Sequence, residues 1–319
     1  MNYSSSSEIP ARFRHAVVFC TDQGYLPFAL FAASQIIDSH PNREFDIVIA
    51  TMDDLDIPES LGHLDIRICK ITTGGAFSGL NLDDRRTESV YLRLALPGAF
   101  ADDYDRLLYL DCDIFIQGGD FASLIAMDLQ NHAIAAVRDA AQWRNPKRRP
   151  TQFRTFGWPS ERYFNSGVML IDIQAWLSQD ITAQAIEIGH REIARLSGHD
   201  QNLLNCTLRG DWLELSPIWN WQLTRKSMLF EVLVNANIAH FIGRIKPWKD
   251  PKSILPPRFA DRMMPFLKQH FPDLPFDPPS ASPLSNLPKT VSMFFRGLMN
   301  VRKMHRYMAR FPGRSDIAR

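Results

Sequence analysis

The chain is poor in cysteine, and the few it has are scattered. Cys20, Cys69, Cys112 and Cys206 are the only four in 319 residues. None lies at a metal-ligand spacing from another, which argues against a thiolate zinc site or a disulfide framework. Most sit in apolar surroundings of strand or helix type, where a thiol acts as a small hydrophobe. That usage predicts a reducing compartment. Charge of one sign is not in excess either: 36 Lys and Arg face 35 Asp and Glu, for a net +1. Global charge therefore gives no reason to expect a nucleic-acid partner. No apolar run approaches the ~20 residues that cross a bilayer. Met1 to Pro10 is serine-rich and has no apolar centre, so it does not read as a signal peptide. A glycine-rich basic loop is missing after the first strand-like run. Thr21 to Tyr25 holds one Gly and no Lys or Arg, which argues against a nucleotidyltransferase.

What is present is ordinary for an enzyme of this size: 45% hydrophobic and 22% charged residues. Short apolar runs alternate with helical patterns from Ala16 onward. They predict an α/β fold with a mainly parallel sheet. Residues 1–14 read as a disordered tail, 15–250 as the catalytic domain and 251–319 as an appendage. Between Pro247 and Pro288 lie eleven of the 21 prolines, which predicts a connector that hugs the surface, neither sheet nor long helix. Ser89 to Leu96 reads as a helix that stops before Pro97. From Met293 to Phe311, Phe294, Leu298, Val301, Met304, Met308 and Phe311 recur at helical spacing. Arg296, Arg302, Lys303, Arg306 and Arg310 fall opposite them. The pattern predicts one basic amphipathic helix that lies on an anionic membrane surface; the competing expectation is a terminal helix docked on the domain. Arg144, Lys147, Arg148 and Arg149 form a basic loop around Pro146 that suits a phosphorylated lipid acceptor, or is a solvated turn.

The most informative stretch is Arg106 to Ile116. An apolar run reaches Asp111 and Asp113, then a second apolar run departs. In an α/β sheet, ligands bind at the carboxyl ends of strands. In extended chain, residues i and i+2 point to one side. Asp111 and Asp113 would then converge on one cation, and oxygen ligands suit Mn²⁺ or Mg²⁺. His240 ends another strand-like run and adds an imidazole, which Mn²⁺ accepts. Gly243 allows backbone to approach a phosphate, and Lys246 supplies a positive point charge.

Six ordered motifs carry a resemblance. They are Phe19 to Asp22, Ser89 to Leu94, Tyr109 to Asp113, Tyr163 to Val168, His199 to Asn205, and His240 to Gly243 continuing through Lys246-Pro247-Trp248. Together they resemble glycosyltransferase family 8, particularly its bacterial lipopolysaccharide glucosyl- and galactosyltransferases. The resemblance implies a GT-A (Rossmann-like) fold that binds a UDP-sugar with Mn²⁺. It implies Asp111, Asp113 and His240 as metal ligands and Asp22 at the uracil. It implies Gly243 and Lys246 at the diphosphate, and Arg93, Asn165, Asp200 and Gln201 around the donor sugar. Asp139 matches a residue near the transferred sugar and the acceptor. Gln23 and Gly24 stand where the family often has a second polar pair. The family retains anomeric configuration, so Gln201, Asp200 and Asp139 are the expected catalytic residues. Gln201 is a poor nucleophile, which favours a front-face displacement over the covalent route of retaining glycosidases.

The function expected is transfer of galactose or glucose from UDP-galactose or UDP-glucose to a lipid-linked lipopolysaccharide core saccharide. The expected location is cytoplasmic, peripheral on the inner face of the cell membrane, with no nucleic-acid partner. The alternatives are a family 8 transferase with a protein, glycan or small-molecule acceptor, and a UDP-sugar-binding module without catalysis.

Overall fold

The computed structural model of the chain describes residues 3–80, 88–197, 200–277, 287–311 and 317–318. Its strands are β1 (Ser4–Ser6), β2 (His15–Cys20), β3 (Asp46–Thr51), β4 (Arg67–Thr72), β5 (Arg106–Leu110), β6 (Ile114–Ile116), β7 (Ile134–Arg138), β8 (Phe164–Asp172), β9 (Leu213–Leu215), β10 (Trp221–Gln222) and β11 (Ile238–His240). Eight form one mixed sheet in the order β1-β4-β3-β2-β5-β8-β7-β9, and β10-β11-β6 form a second. The pairs among β4, β3, β2 and β5 are parallel, as are β7 and β9, whereas β8 runs antiparallel to both β5 and β7. The central strands are buried on both faces. Val17 and Phe19 of β2 enter one apolar core, and Ala16 and Val18 enter the other.

The site lies where the two sheets meet. β5 ends at Leu110, but the Asp111 N–H still pairs with the Gly167 carbonyl of β8 at 2.8 Å. Three residues later the chain joins the small sheet as β6. There Ile114 faces His240 across an antiparallel ladder, and the Phe241 N–H reaches the Asp113 carbonyl at 3.0 Å. One sheet-to-sheet crossing thus brings His240 beside two carboxylates far away in sequence.

Four expectations are corrected. The N-terminal stretch is not a free tail: β1 adds an antiparallel edge to β4. Tyr3 packs so closely on Gly98 that a Cβ there would lie 2.7 Å from its ring. The helix before β5 runs Leu92–Ala99 with Pro97 inside it. A proline in the last turn forfeits one bond, while Leu92, Leu94, Ala95 and Leu96 remain buried. The proline-rich stretch contains a helix, Pro257–His270. Pro257 occupies the first turn, where its missing N–H costs nothing. Phe259, Met263 and Leu267 then fall on one buried face.

The C-terminal segment is two helices, not one: Leu287–Leu298 and Val301–Met308. The second helix docks. Met304, Tyr307 and Phe311 are buried against the domain. Arg310, expected on a solvated face, instead reaches buried Glu214 with both guanidinium nitrogens at 2.7 and 2.8 Å. Arg138 and the Tyr307 hydroxyl also donate to Glu214. Burial opposes the Glu214 charge, but Arg310 and Arg138 outweigh it and hold the carboxyl below its usual range. The first helix keeps an exposed apolar face: Phe294, Phe295, Leu298 and Met299. It packs on the helix Met228–Val234, where a Cβ on Gly297 would sit 2.6 Å from Leu229. That neighbour has its own exposed apolar residues, Val232 and Leu233, 65% and 73% exposed.

Candidate active site

Asp111, Asp113 and His240 converge, each with one ligand atom within 4.8 Å of the others. His240 Nε2 lies 3.2 Å from Asp113 Oδ1 and 3.6 Å from Asp111 Oδ2. Two ligands at adjacent corners of a six-coordinate ion with bonds of ~2.1–2.2 Å stand about 3 Å apart. The donor set and its spacing therefore fit one hard divalent cation. Lys246 Nζ donates to Asp113 Oδ2 and to the Phe241 carbonyl. Burial works against the Asp113 charge, yet His240 and Lys246 together hold its carboxyl well below the usual range. Asp113 thus favours the ionised form, whose oxygens only accept.

The imidazole is oriented from behind. His240 Nδ1 meets Asn220 Oδ1 at 2.9 Å. An amide oxygen can only accept, so Nδ1 carries a proton and Nε2 is the ring atom turned toward the carboxylates. Asn220 is itself fully buried, and its amide nitrogen donates to Asn165 Oδ1 at 2.8 Å. Asn165 Nδ2 donates to Gln201 Oε1 at 3.0 Å, and the Ser166 N–H donates to the same oxygen at 3.2 Å. A backbone N–H is an unambiguous donor, which fixes the orientation of the Gln201 amide. Four side chains thus form a continuous line from the cation site to Gln201.

Arg93, expected around the donor sugar, lies between the cation cluster and Asp200. It is buried between two carboxylates, with Nη2 3.1 Å from Asp111 Oδ1 and Nη1 3.0 Å from Asp200 Oδ2. It also lies 4.4 Å over the Tyr109 ring, a cation–π contact. Burial opposes its charge, but Asp200, Tyr109 and Asp111 outweigh that and raise its pKa above the ordinary arginine value. Asp200 opens the helix Asp200–Leu208 and also accepts from Ser166 Oγ at 2.9 Å. His199, beside it in the motif, lies outside the described residues.

Asp139 caps the short helix Ala140–Trp143 through the Ala141 N–H at 2.8 Å. Burial raises its pKa, against the pull of Ala141, Gln201 and Arg148. Asp22 follows β2 and accepts from the Tyr25 N–H at 3.1 Å. Its neighbour Gln23 is tied to Asp56 in both directions, so that side chain fastens two loops. Gly243 sits on an exposed turn where a Cβ would meet nothing within 4 Å.

Residues 16–252 match the sequence profile of glycosyl transferase family 8. The chain belongs to this family. Among curated relatives, General stress protein A of Bacillus subtilis is 33% identical over 177 residues, covering 51% of this chain and 59% of that protein. The lipopolysaccharide 1,3-galactosyltransferase of Salmonella typhimurium is 31% identical over 169 residues, covering 51% of this chain and 50% of that protein. The chain therefore spans a little over half the length of such relatives. The crystal structure of the galactosyltransferase LgtC with donor and acceptor sugar analogs superposes with a TM-score of 0.65 at 22% identity, over 86% of this chain and 99% of that one. The GT-A architecture expected for a family 8 glycosyltransferase is thus observed.

Three residues of the site were not singled out beforehand. Asn220 lies in an aromatic run, Ile218-Trp219-Asn220-Trp221, that reads as core. Tyr109 reads as strand core, although its hydroxyl donates to Asp111 Oδ1 at 2.7 Å; its position two residues before Asp111 was the available signal. Gly167 is the third. A Cβ there would lie 2.3 Å from His240 Cε1 and 2.6 Å from Asp111 Oδ2. The cation site can form only because β8 carries no side chain at that point.

Proposed function

We propose that this family 8 glycosyltransferase moves galactose or glucose from UDP-galactose or UDP-glucose to a lipopolysaccharide or lipooligosaccharide core acceptor, with retention and with Mn²⁺ preferred over Mg²⁺. The observation that carries the reading is the Asp111, Asp113 and His240 cluster joined through Asn220 and Asn165 to Gln201. When bound at that cluster, a divalent ion supplies Lewis-acid stabilisation of a leaving diphosphate. Lys246, already beside Asp113, adds a second positive charge at that end. The similarity to lipopolysaccharide transferases supports the acceptor class.

The surroundings of the two carbonyl-bearing candidates support front-face chemistry. The Gln201 oxygen accepts two hydrogen bonds, and the Asp200 carboxylate is neutralised by Arg93. Both arrangements lower nucleophilicity. Gln201 then positions the sugar, and the departing phosphate oxygen takes the acceptor proton. A glycosyl adduct on Gln201 or Asp200, found by mass spectrometry, would overturn this step. The defining experiment is UDP release from a panel of UDP-hexoses with truncated core oligosaccharides. Asp113→Asn should abolish release while leaving the fold intact.

The same reading places the enzyme on the cytoplasmic face of the inner membrane. Among the described residues no helix is long and apolar enough to cross a membrane. Exposed Phe294, Phe295, Leu298 and Met299, with Val232 and Leu233 on the helix packed beside them, supply an apolar contact. Arg296, Arg302, Lys303 and Arg306 lie along the same pair of terminal helices and suit anionic headgroups. Leu233→Glu with Phe295→Glu should abolish co-sedimentation with anionic vesicles. Retained co-sedimentation would remove this surface from the reading.

A further inference from the structure

The basic loop 144–149 is built onto the catalytic site. Asp139 caps the four-residue helix Ala140–Trp143, and Arg144 follows directly. Gln142, buried at the centre of that helix, acts as a staple. Its amide nitrogen donates to the Arg148 carbonyl at 2.8 Å and to the Glu161 carbonyl at 2.9 Å, and its oxygen accepts from the Tyr163 N–H at 3.0 Å. The Tyr163 carbonyl in turn accepts from the Asp139 N–H at 2.9 Å. The loop is therefore held in register with Asp139 and with the start of β8, which carries Asn165.

The loop's cations lack direct carboxylate contacts. Among the described residues, none of Arg144, Lys147, Arg148 and Arg149 joins an ion pair, whereas Arg209 and Glu161 next to them do. Arg144 Nη1 and Arg149 Nε are buried from solvent with no hydrogen-bond partner. A buried guanidinium nitrogen left unpaired costs about 1–3 kcal/mol, so such donors point to a missing acceptor group. The Arg144 pKa is lowered, first by burial and then by Arg148. An anion placed between them would relieve that repulsion. Arg148 also lies close enough to act electrostatically on Asp139. On its outer side the loop borders an open cleft of about 560 Å³ lined by Lys147, Glu161, Arg162 and Arg209, with space for a neighbouring sugar ring.

We propose that Arg144 and Arg148 form an anion subsite on the acceptor side of Asp139, which takes a phosphate monoester carried by the acceptor saccharide. Four cations in six residues favour a doubly charged, three-oxygen phosphoryl group over a single carboxylate. The inference rests on the transferase reading for its placement on the acceptor, but its test does not need turnover.

The test is isothermal titration of the full chain with two probes. One is a deacylated, phosphorylated core oligosaccharide, and the other is the same oligosaccharide dephosphorylated with hydrofluoric acid. The wild type should bind the phosphorylated probe about 10- to 100-fold more tightly, the range of two charge-assisted contacts. Arg144→Gln with Arg148→Gln should erase that difference and leave binding of the dephosphorylated probe unchanged. The Arg→Lys pair should restore part of it. Equal affinity of the wild type for the two probes would overturn the subsite. So would an equal loss on both probes in the Gln variant. Loss of binding to anionic vesicles, with the oligosaccharide preference intact, would assign the anion to a lipid headgroup and overturn it too. Absence of UDP-hexose turnover in the wild type would instead count against the transferase reading alone.

Discussion

Gly167→Ala is a one-carbon test of the cation site. Gly167 lies inside β8, and both its peptide groups are committed. Its carbonyl accepts from the Asp111 N–H, and its own N–H donates to Asn165 Oδ1 at 3.1 Å. Its φ is not in the left-handed region, so alanine brings no backbone strain and the effect is purely steric. The new Cβ would stand 2.3 Å from His240 Cε1. Ordinary carbon contacts begin near ~3.5 Å, so the ring must retreat by about 1 Å. It is held by Asn220 behind and buried throughout. Asp111 is held by Tyr109 and Arg93. Metal–ligand distances tolerate only about ±0.2 Å, so an imidazole displaced this far ceases to be a ligand. The expected loss in Mn²⁺ affinity is at least ~100-fold, about 2.7 kcal/mol. Overpacking should cost a further ~1–3 kcal/mol of stability. Mn²⁺ binding followed by the paramagnetic resonance of the free ion reads the first, and thermal unfolding reads the second. Gly243→Ala is the control, because open space surrounds it: stability and Mn²⁺ affinity should not change, and only the KM for UDP-hexose should rise. A Gly167→Ala enzyme with wild-type Mn²⁺ affinity would refute the geometry.

Asn220→Ala should weaken Mn²⁺ binding about 10- to 100-fold, as expected when the group orienting a ligating histidine is removed; unchanged affinity would dissociate the amide line from the cation site. Deleting 301–319 should destabilise the whole domain and not merely free it from membranes. It removes three buried side chains worth roughly 1.5–3 kcal/mol each, and chemical denaturation would measure the loss. The Glu214 carboxyl is held below its ordinary value of 4.5. Its stabilising contribution is therefore fully present above that value and is lost as pH falls through the lower folded pKa. Arg310→Gln should shrink the acid-induced loss over that window, seen as unfolding midpoints at stepped pH. Cys69 and Cys206 have thiols pushed up by burial to about 11 and about 12, so both should resist alkylation at pH 8 until the protein unfolds.

The cation site was legible because a buried strand advertises its carboxyl end. Asp111 and Asp113 break an apolar run, and His240 ends another. Their closeness depends on β6 and β11 pairing, which the chain order alone does not display. Arg93 was legible as a site residue but its ion pairs were not, since nothing local shows that a guanidinium will stand between Asp111 and Asp200. Asn220 was hidden because a buried carboxamide among tryptophans looks like any core position. The C-terminal helix misled for a related reason. Amphipathic spacing announces one apolar face but not what covers it, and Glu214, which draws Arg310 inward, sits nearly a hundred residues upstream. The helix Pro257–His270 was masked by proline count: Pro257 falls harmlessly in its first turn, while Pro265 lies inside it and is tolerated because Phe259, Met263 and Leu267 are buried.

The line from His240 through Asn220 and Asn165 to Gln201 has one more consequence. Its links beyond the imidazole are carboxamides, which neither gain nor lose a proton near neutral pH. Such a line can pass displacement from one end of the site to the other, but it cannot pass acidity. The cation end and the sugar end are mechanically joined and protonically insulated. In the proposed front-face chemistry, a proton leaving the acceptor hydroxyl has no wire back into the protein along this route.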